Sequence, residues 1–195
     1  MRCGNHSCLD REVAGIPQQF VEESGNGKLA TGERLERLRD GHGIRTVRQN
    51  IVQILADVAQ NFENRPPSVR VGSTASEVLA EIDADRIRTV IRNLLENAIK
   101  YSLPDSRAVE VSAAQNGEYV VIRVTDDGPG IPEHDIPSVF EPFFRVDRSR
   151  SKKTGGYGLG LSISKRIVEA HGGTIAVEKN AKSGTSFVVR LPKTR

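Results

Sequence analysis

The segment Asn93-Leu94-Leu95-Glu96-Asn97-Ala98-Ile99-Lys100-Tyr101-Ser102 carries two interleaved helical stripes. Together with the residues just before it, Ile87, Val90, Ile91, Leu94, Leu95 and Ala98 recur at helical steps and make one apolar stripe suited to a core. Asn93, Asn97, Lys100 and Tyr101 make the other, and it is polar. Asn is a poor helix former, and a merely solvated face would more readily carry Glu, Lys or Ala, so the second stripe reads as functional. An Asn amide oxygen is a hard neutral ligand suited to Mg²⁺, which keeps several waters and completes its shell with phosphates. Lys100 supplies a cation beside it, and Tyr101 a flat face for a base.

Outward from this helix the chain divides into short periodic pieces. Asp83 is placed to cap the helix, which runs to about Tyr101 and is ended by Pro104. Upstream, Ile44, Val47, Ile51, Ile54, Leu55, Val58 and Phe62 predict an amphipathic helix over Thr46–Phe62, stopped by Pro66-Pro67, and Val69–Gly72 and Glu77–Ile82 predict strands. Downstream, Val109–Ala113 and Tyr119–Thr125 form a predicted hairpin through Gln115-Asn116-Gly117. Asp126–Lys153 is mostly irregular, with a short helix expected over Glu133–Phe140. A helix over Gly158–Ala170, ended at Gly172-Gly173, and strands Thr174–Val177 and Ser186–Leu191 complete the pattern. This order predicts an α/β (α+β) domain, a two-layer sandwich with helices on one face of a mainly antiparallel mixed sheet.

Two glycine-bearing segments extend the functional reading. Asp126-Asp127-Gly128-Pro129-Gly130-Ile131-Pro132 follows a predicted buried strand, where an ionised acceptor selects a base bearing an amino donor, and Gly128 and Gly130 permit close backbone approach. Gly155-Gly156-Tyr157-Gly158-Leu159-Gly160-Leu161-Ser162-Ile163 is a glycine-rich turn opening into a helix, whose amides can point at phosphate. Its spacing approaches a dinucleotide fingerprint, but no predicted strand leads into it and no βαβ unit surrounds it, which argues against a nicotinamide site. As simple structure, these segments would be ordinary turns.

Taken together, the segments resemble the conserved boxes of the ATP-binding catalytic domain of sensor histidine kinases, over roughly Thr46–Pro192 and in the family's order. Asn93–Ser102 looks like the N box, Asp126–Pro132 the first glycine box, and Gly155–Ile163 the second. Phe140-Glu141-Pro142-Phe143-Phe144-Arg145 looks like the F box, its Phe side chains expected as core packing at the base of a lid over Val146–Tyr157, and Gly184-Thr185 matches the weak third glycine box. The resemblance implies the Bergerat ATP-binding fold, with ATP and Mg²⁺ as ligands. It implies a metal-holding Asn97, an adenine-selecting Asp126 and a Thr185 near the adenine. Lys100, Arg145 and Arg150 would meet the triphosphate. Asn93, Tyr101, Gly128, Gly130, Ile131, Lys152, Gly156, Tyr157, Gly158, Leu159, Gly160 and Leu161 would complete the nucleotide contacts. The wider superfamily includes ATPases, namely DNA gyrase, heat-shock chaperones and mismatch-repair proteins, in which the position matching Asn93 is a Glu acting as general base for water. An amide cannot take that proton, and Glu96 falls on a different helical face from Asn97, so transfer to an acceptor other than water is expected.

In this family the acceptor is a His on a dimerising helical hairpin, followed by an acidic residue. None of the four His fits: His6, His42 and His171 are not followed by an acidic residue, His134 precedes Asp135 but lies in the loop after the first glycine box, and residues 1–43 are too few and too polar for two long packed helices. They are expected to be a poorly ordered leader with one short helix near Glu33–Arg39, the remnant of a hairpin and linker, and residues 44–195 the ATP-binding domain. The expected function is therefore donation of the γ-phosphate to a His on another segment, in cis or in trans, with a response regulator downstream. A non-catalytic ATP-binding docking module and a self-contained ATPase are the alternatives. His171 reads as a helix-end residue facing terminal carbonyls.

Composition agrees with a single core-bearing domain: 195 residues, 37% hydrophobic and 27% charged. No run reaches the roughly 18 apolar residues of a membrane span, and the start has no signal-like apolar run, so a cytoplasmic location is expected. Cys3 and Cys8 lie in the polar leader and suggest neither a disulfide nor a zinc site. A net charge of +3 fits a weak nucleic-acid binder, but the basic residues are dispersed and Trp is absent, so no nucleic-acid partner is expected.

Overall fold

A computed structural model describes residues 44–73, 75–103, 105–106, 108–146, 157–179 and 184–193. Its elements are β1 (Val47–Asn50), α1 (Ile51–Gln60), β2 (Ser68–Ser73), β3 (Leu79–Ile82), α2 (Ala84–Tyr101), β4 (Ala108–Asn116), β5 (Tyr119–Thr125), a 3₁₀ turn (Ile136–Ser138), α3 (Gly160–Ala170), β6 (Thr174–Lys179) and β7 (Thr185–Pro192). Five strands form one sheet in the order β2-β4-β5-β7-β6, and β1 pairs with β3 separately. β2 runs parallel to β4, and the other neighbours in the large sheet are antiparallel. The expected sandwich is thus the observed one.

The alternation of β4, β5 and β7 explains the two layers. Val109, Val111, Ala113, Val120, Ile122, Val124, Phe187, Val189 and Leu191 point to one face and join the buried aliphatic residues of the three helices. On the other face Glu178 pairs with Arg123 at 2.7 Å and with Arg190 at 3.2 Å. Helix α2 is the main cover, with Ile87, Ile91, Leu94 and Leu95 fully buried. Each such side chain stabilises the fold by about 1.5–3 kcal/mol. Asp83 caps α2 by accepting from the Arg86 amide at 3.2 Å, and Ser102 leaves the helix at ψ 149.

Several boundaries differ from expectation, three of them for identifiable local reasons. The helix predicted from Thr46 begins only at Ile51, because Asn50 caps it: Asn50 Oδ1 accepts from the Val52 amide at 3.1 Å. Val47–Asn50 pair in register with Leu79–Ile82, and Val47 is 55% exposed, so its helical spacing is coincidental. The helix expected over Glu133–Phe140 shrinks to Ile136–Ser138, since Pro137 supplies no amide and the surrounding bonds span three residues, as from Ser138 N to Asp135 O. The last helix starts at Gly160, two residues late, because Gly158 has φ +72 and cannot lie in a right-handed helix.

Asn50 Oδ1 also accepts from the Val78 amide at 3.2 Å, joining α1 to the start of β3. Asn50→Ala is expected to lower unfolding free energy by about 1–2 kcal/mol, measured by denaturant titration, because it removes a cap and strands a second amide.

Candidate nucleotide site

The last two turns of α2 carry Asn97, Lys100 and Tyr101, and the helix ends against the loop that follows β5. Asn97 is half-buried, and its amide makes no hydrogen bond among the described residues. The Lys100 ammonium lies 5.0 Å from the centre of the Tyr101 ring, a cation–π contact, and Tyr101 is half-exposed.

Asp126 sits where β5 ends, beside the start of β7, and is only 4% exposed. Its Oδ1 accepts from the Gly128 amide at 2.9 Å and the Thr185 amide at 3.2 Å, while its own amide donates to the Thr185 carbonyl at 2.9 Å. Burial pushes its carboxyl above the ordinary Asp range; the Gly128 and Thr185 amides offset this in part, and neighbouring Asp127 adds to it. Ser106 donates to Asp127, tying the segment after α2 to the same loop.

Two glycines allow this crowding. A Cβ at Gly128 would lie 2.4 Å from the Tyr101 carbonyl oxygen, and one at Gly184 only 1.9 Å from the Asp126 carbonyl oxygen. The loop after β5 therefore packs directly on the end of α2. Gly130 has φ +78, and half-buried Ile131 packs against the core.

The polar stripe of α2 reaches its other neighbour through Asn93. Its Nδ2 donates to the Gly160 carbonyl at 3.1 Å and to Ser164 Oγ at 3.2 Å, and Ser164 in turn donates to the Gly160 carbonyl at 2.9 Å. Asn93 is thus buried against α3, where a carbonyl demands a donor. The first turn of α3 follows Leu159, which is buried, and has no side-chain cap. Leu161 is half-buried and Tyr157 is 71% exposed.

The Phe140–Arg145 segment joins this helix start. Phe140 packs edge-on against Phe187 in the core, but Phe143 does not share the expected packing: it is 69% exposed, at φ +65, a costly conformation for a bulky side chain. Its amide donates to the Gly158 carbonyl at 3.0 Å, and a Cβ on Gly158 would meet the Phe144 carbonyl oxygen at 2.8 Å. Phe144 and Arg145 are half-buried. Arg150, Lys152 and Gly156, with most of the expected lid, lie outside the described residues.

The structure therefore brings Asn93, Asn97, Lys100, Tyr101, Asp126, Gly128, Thr185 and Gly160 around the C-terminal half of α2. Sequence reasoning missed Ser164, whose signal was a small hydroxyl one turn after Gly160 on a buried helical face, and Ser106. Among the described residues no cluster of three or more His, Cys, Asp or Glu is placed to hold a metal, and no helix is long and apolar enough to cross a membrane.

A nucleotide-binding fold of defined class follows from this arrangement, and comparison with known proteins agrees. The family described as histidine kinase-, DNA gyrase B- and HSP90-like ATPase matches residues 82–195, and the chain belongs to it. Within that family it carries the ATP-binding catalytic domain of the sensor histidine kinase type. It is 46% identical over 117 residues to the sensor protein kinase WalK of Staphylococcus saprophyticus, covering 59% of this chain but 19% of that protein. The nucleotide-free catalytic domain of histidine kinase ThkA superposes with a TM-score of 0.67 at 29% identity, covering 76% of this chain and 96% of that one. Full-length ShkA in complex with AMPPNP gives a TM-score of 0.67 at 26% identity, covering 82% of this chain and 34% of ShkA.

Asn93→Asp is expected to destabilise the domain by about 1–3 kcal/mol in thermal or denaturant unfolding above the Asp titration range, because a carboxylate would face the Gly160 carbonyl. Unchanged stability would show that the Asn93 bond to α3 is not made.

Proposed function

We propose that residues 44–195 bind ATP with Mg²⁺ and present the γ-phosphate to a His of a dimerisation and phosphoacceptor segment, with a response regulator receiving the phosphoryl group afterwards. One observation carries this reading: the same two turns of α2 are tied on one side to the loop bearing Asp126, through Gly128 against the Tyr101 carbonyl, and on the other to the uncapped start of α3, through Asn93. A base held by Asp126 and phosphates held at α3 would then span Asn97 and Lys100. That ShkA holds the ATP analogue AMPPNP supports the same ligand here.

Each residue has a role that its surroundings permit. The buried Asp126 carboxylate accepts from the adenine amino group, with Thr185 beside it, and Tyr101 and Ile131 offer apolar surface to the base. Gly158, Leu159, Gly160 and Leu161 bring backbone amides at a helix start to the phosphates. Lys100 and Arg145, joined by Arg150 and Lys152 from the segment between Val146 and Tyr157, oppose the charge that develops as the γ-phosphoryl group departs. The donor set suits Mg²⁺ as far as the protein supplies it: the half-buried Asn97 amide is one neutral oxygen, and Mg²⁺ takes most of its shell from water and phosphate. Bound there, the ion would shield the phosphate oxygens. Asn93 would act by seating α3.

Mixing the chain with a separately made His-bearing hairpin and γ-labelled ATP tests the transfer. Label is expected on the hairpin and none on the chain alone, and Asn97→Ala is expected to cut transfer by roughly 10²-fold or more. Nucleotide binding without any transfer would favour a docking module; steady phosphate release that survives Asn97→Ala would favour an ATPase.

Asp126 gives a test with a definite sign. Only the ionised carboxylate is a pure acceptor, and burial raises its pKa, so ATP affinity is expected to fall with acidification already above the ordinary Asp value of 3.8. Stability follows the opposite sense: the folded state holds this proton more tightly than the unfolded chain, so the contribution is present in acid and lost as pH rises through the raised pKa. Asp126→Asn can keep both amide bonds through its oxygen yet turns donors toward the adenine amino group. It should therefore abolish most ATP binding by calorimetry without lowering stability at neutral pH, and unchanged affinity would remove Asp126 from the adenine site.

A further inference from the structure

His171 takes no part in the site described above, yet its side chain is fixed at both ring nitrogens. It ends α3, is 6% exposed, and has Nδ1 2.7 Å from the Ile167 carbonyl oxygen. Nε2 lies 3.0 Å from the Asp83 amide nitrogen, across 88 residues of chain. A carbonyl only accepts and an amide N–H only donates, so the ring is neutral with its proton on Nδ1. An imidazolium would set N–H against N–H. The helix-end carbonyl contact matches the sequence expectation; the bond to Asp83 does not follow from sequence.

The surroundings show that the position, not only the ring, is held. Gly172, at φ +71, donates to the Glu169 carbonyl at 2.9 Å and Gly173 to the Val168 carbonyl at 3.0 Å, a Schellman end to α3. A Cβ on Gly173 would lie 2.3 Å from the Arg190 carbonyl oxygen, so the turn is pressed against β7. The ring also borders a small hollow lined by Ile44, Thr46, Glu81 and Pro192, so filling space is not what the imidazole supplies.

Asp83 is the cap of α2, and α2 and α3 run antiparallel with two polar rungs between them. One is His171 to Asp83, and the other is Asn93 to Gly160 and Ser164. Ten residues of α2 separate them, about 15 Å along the helix. Two rungs fix an angle where one would leave a pivot. We propose that His171 is a positioning residue for the nucleotide's phosphates: by pinning the far end of α3 to the cap of α2, it holds the first turn of α3 in register with Asn97 and Lys100. This rests on the proposed nucleotide site.

Calorimetry with Mg²⁺ and AMPPNP, alongside NMR titration with adenosine, tests it on the full chain. Gln can place an acceptor near Nε2, whereas Asn reaches only the nearer position and Leu supplies neither group. His171→Leu and His171→Asn are expected to weaken AMPPNP about tenfold, the loss of one good hydrogen bond's worth of positioning, with adenosine affinity unchanged, and His171→Gln to recover most of it. Imidazole ¹⁵N shifts of the unsubstituted chain should show the neutral Nδ1–H tautomer, a readout that needs no variant to fold. Unaltered AMPPNP binding in the Leu and Asn variants, equal losses for adenosine and AMPPNP, or the other tautomer would each overturn the inference while leaving the nucleotide site standing. Failure of the unsubstituted chain to bind AMPPNP would overturn both.

Discussion

A carboxylate buried at the end of a central strand is costly, and much of this domain is arranged around keeping one there. Asp126 loses most of its hydration, and two backbone amides take its place, from Gly128 two residues on and from Thr185 fifty-nine residues on. The second amide is available only because β7 lies next to β5. A bulky residue at 184 would strike the Asp126 carbonyl, and one at 128 would strike the end of α2. Strand order, two glycines and the seat of the main covering helix thus all contribute to accommodating one acceptor.

How far these features were legible depends on the range of the interaction that makes each one. The apolar stripe of α2, the Asp83 cap and the turn at Gly117 are set within a few residues, and the sequence displays them directly. Strand β1 is different. Val47 falls at helical spacing from Ile51 and Ile54, and only pairing with Leu79–Ile82 overrules it. Asn50 was the visible warning, since Asn serves better as a cap than inside a helix. The exposed, left-handed Phe143 carries no local signal at all: its conformation is held by a bond to Gly158, fifteen residues further along the chain.

The polar stripe of α2 stands out in the sequence as a candidate site, but the difference between its two Asn does not. Asn93 and Asn97 are one turn apart and identical in chemistry. Only the packing of α3 distinguishes them, committing the Asn93 amide hydrogens to Gly160 and Ser164 while the Asn97 amide makes no hydrogen bond among the described residues. The same helical face therefore holds a structural amide and, on the proposed reading, a metal-holding one.

That division bears on which acceptor receives the phosphate. A carboxylate base for water at position 93 would have to replace the group that donates to the Gly160 carbonyl, and two acceptors would then meet in a buried contact. Either α3 would move away, taking its first turn from the phosphates, or the carboxyl would stay protonated and useless as a base. On the proposed reading, then, the preference for an acceptor other than water is more than the absence of a Glu. It is built into the way α3 sits on α2, and a single substitution to Glu would not convert this domain into an efficient ATPase without a new seat for that helix.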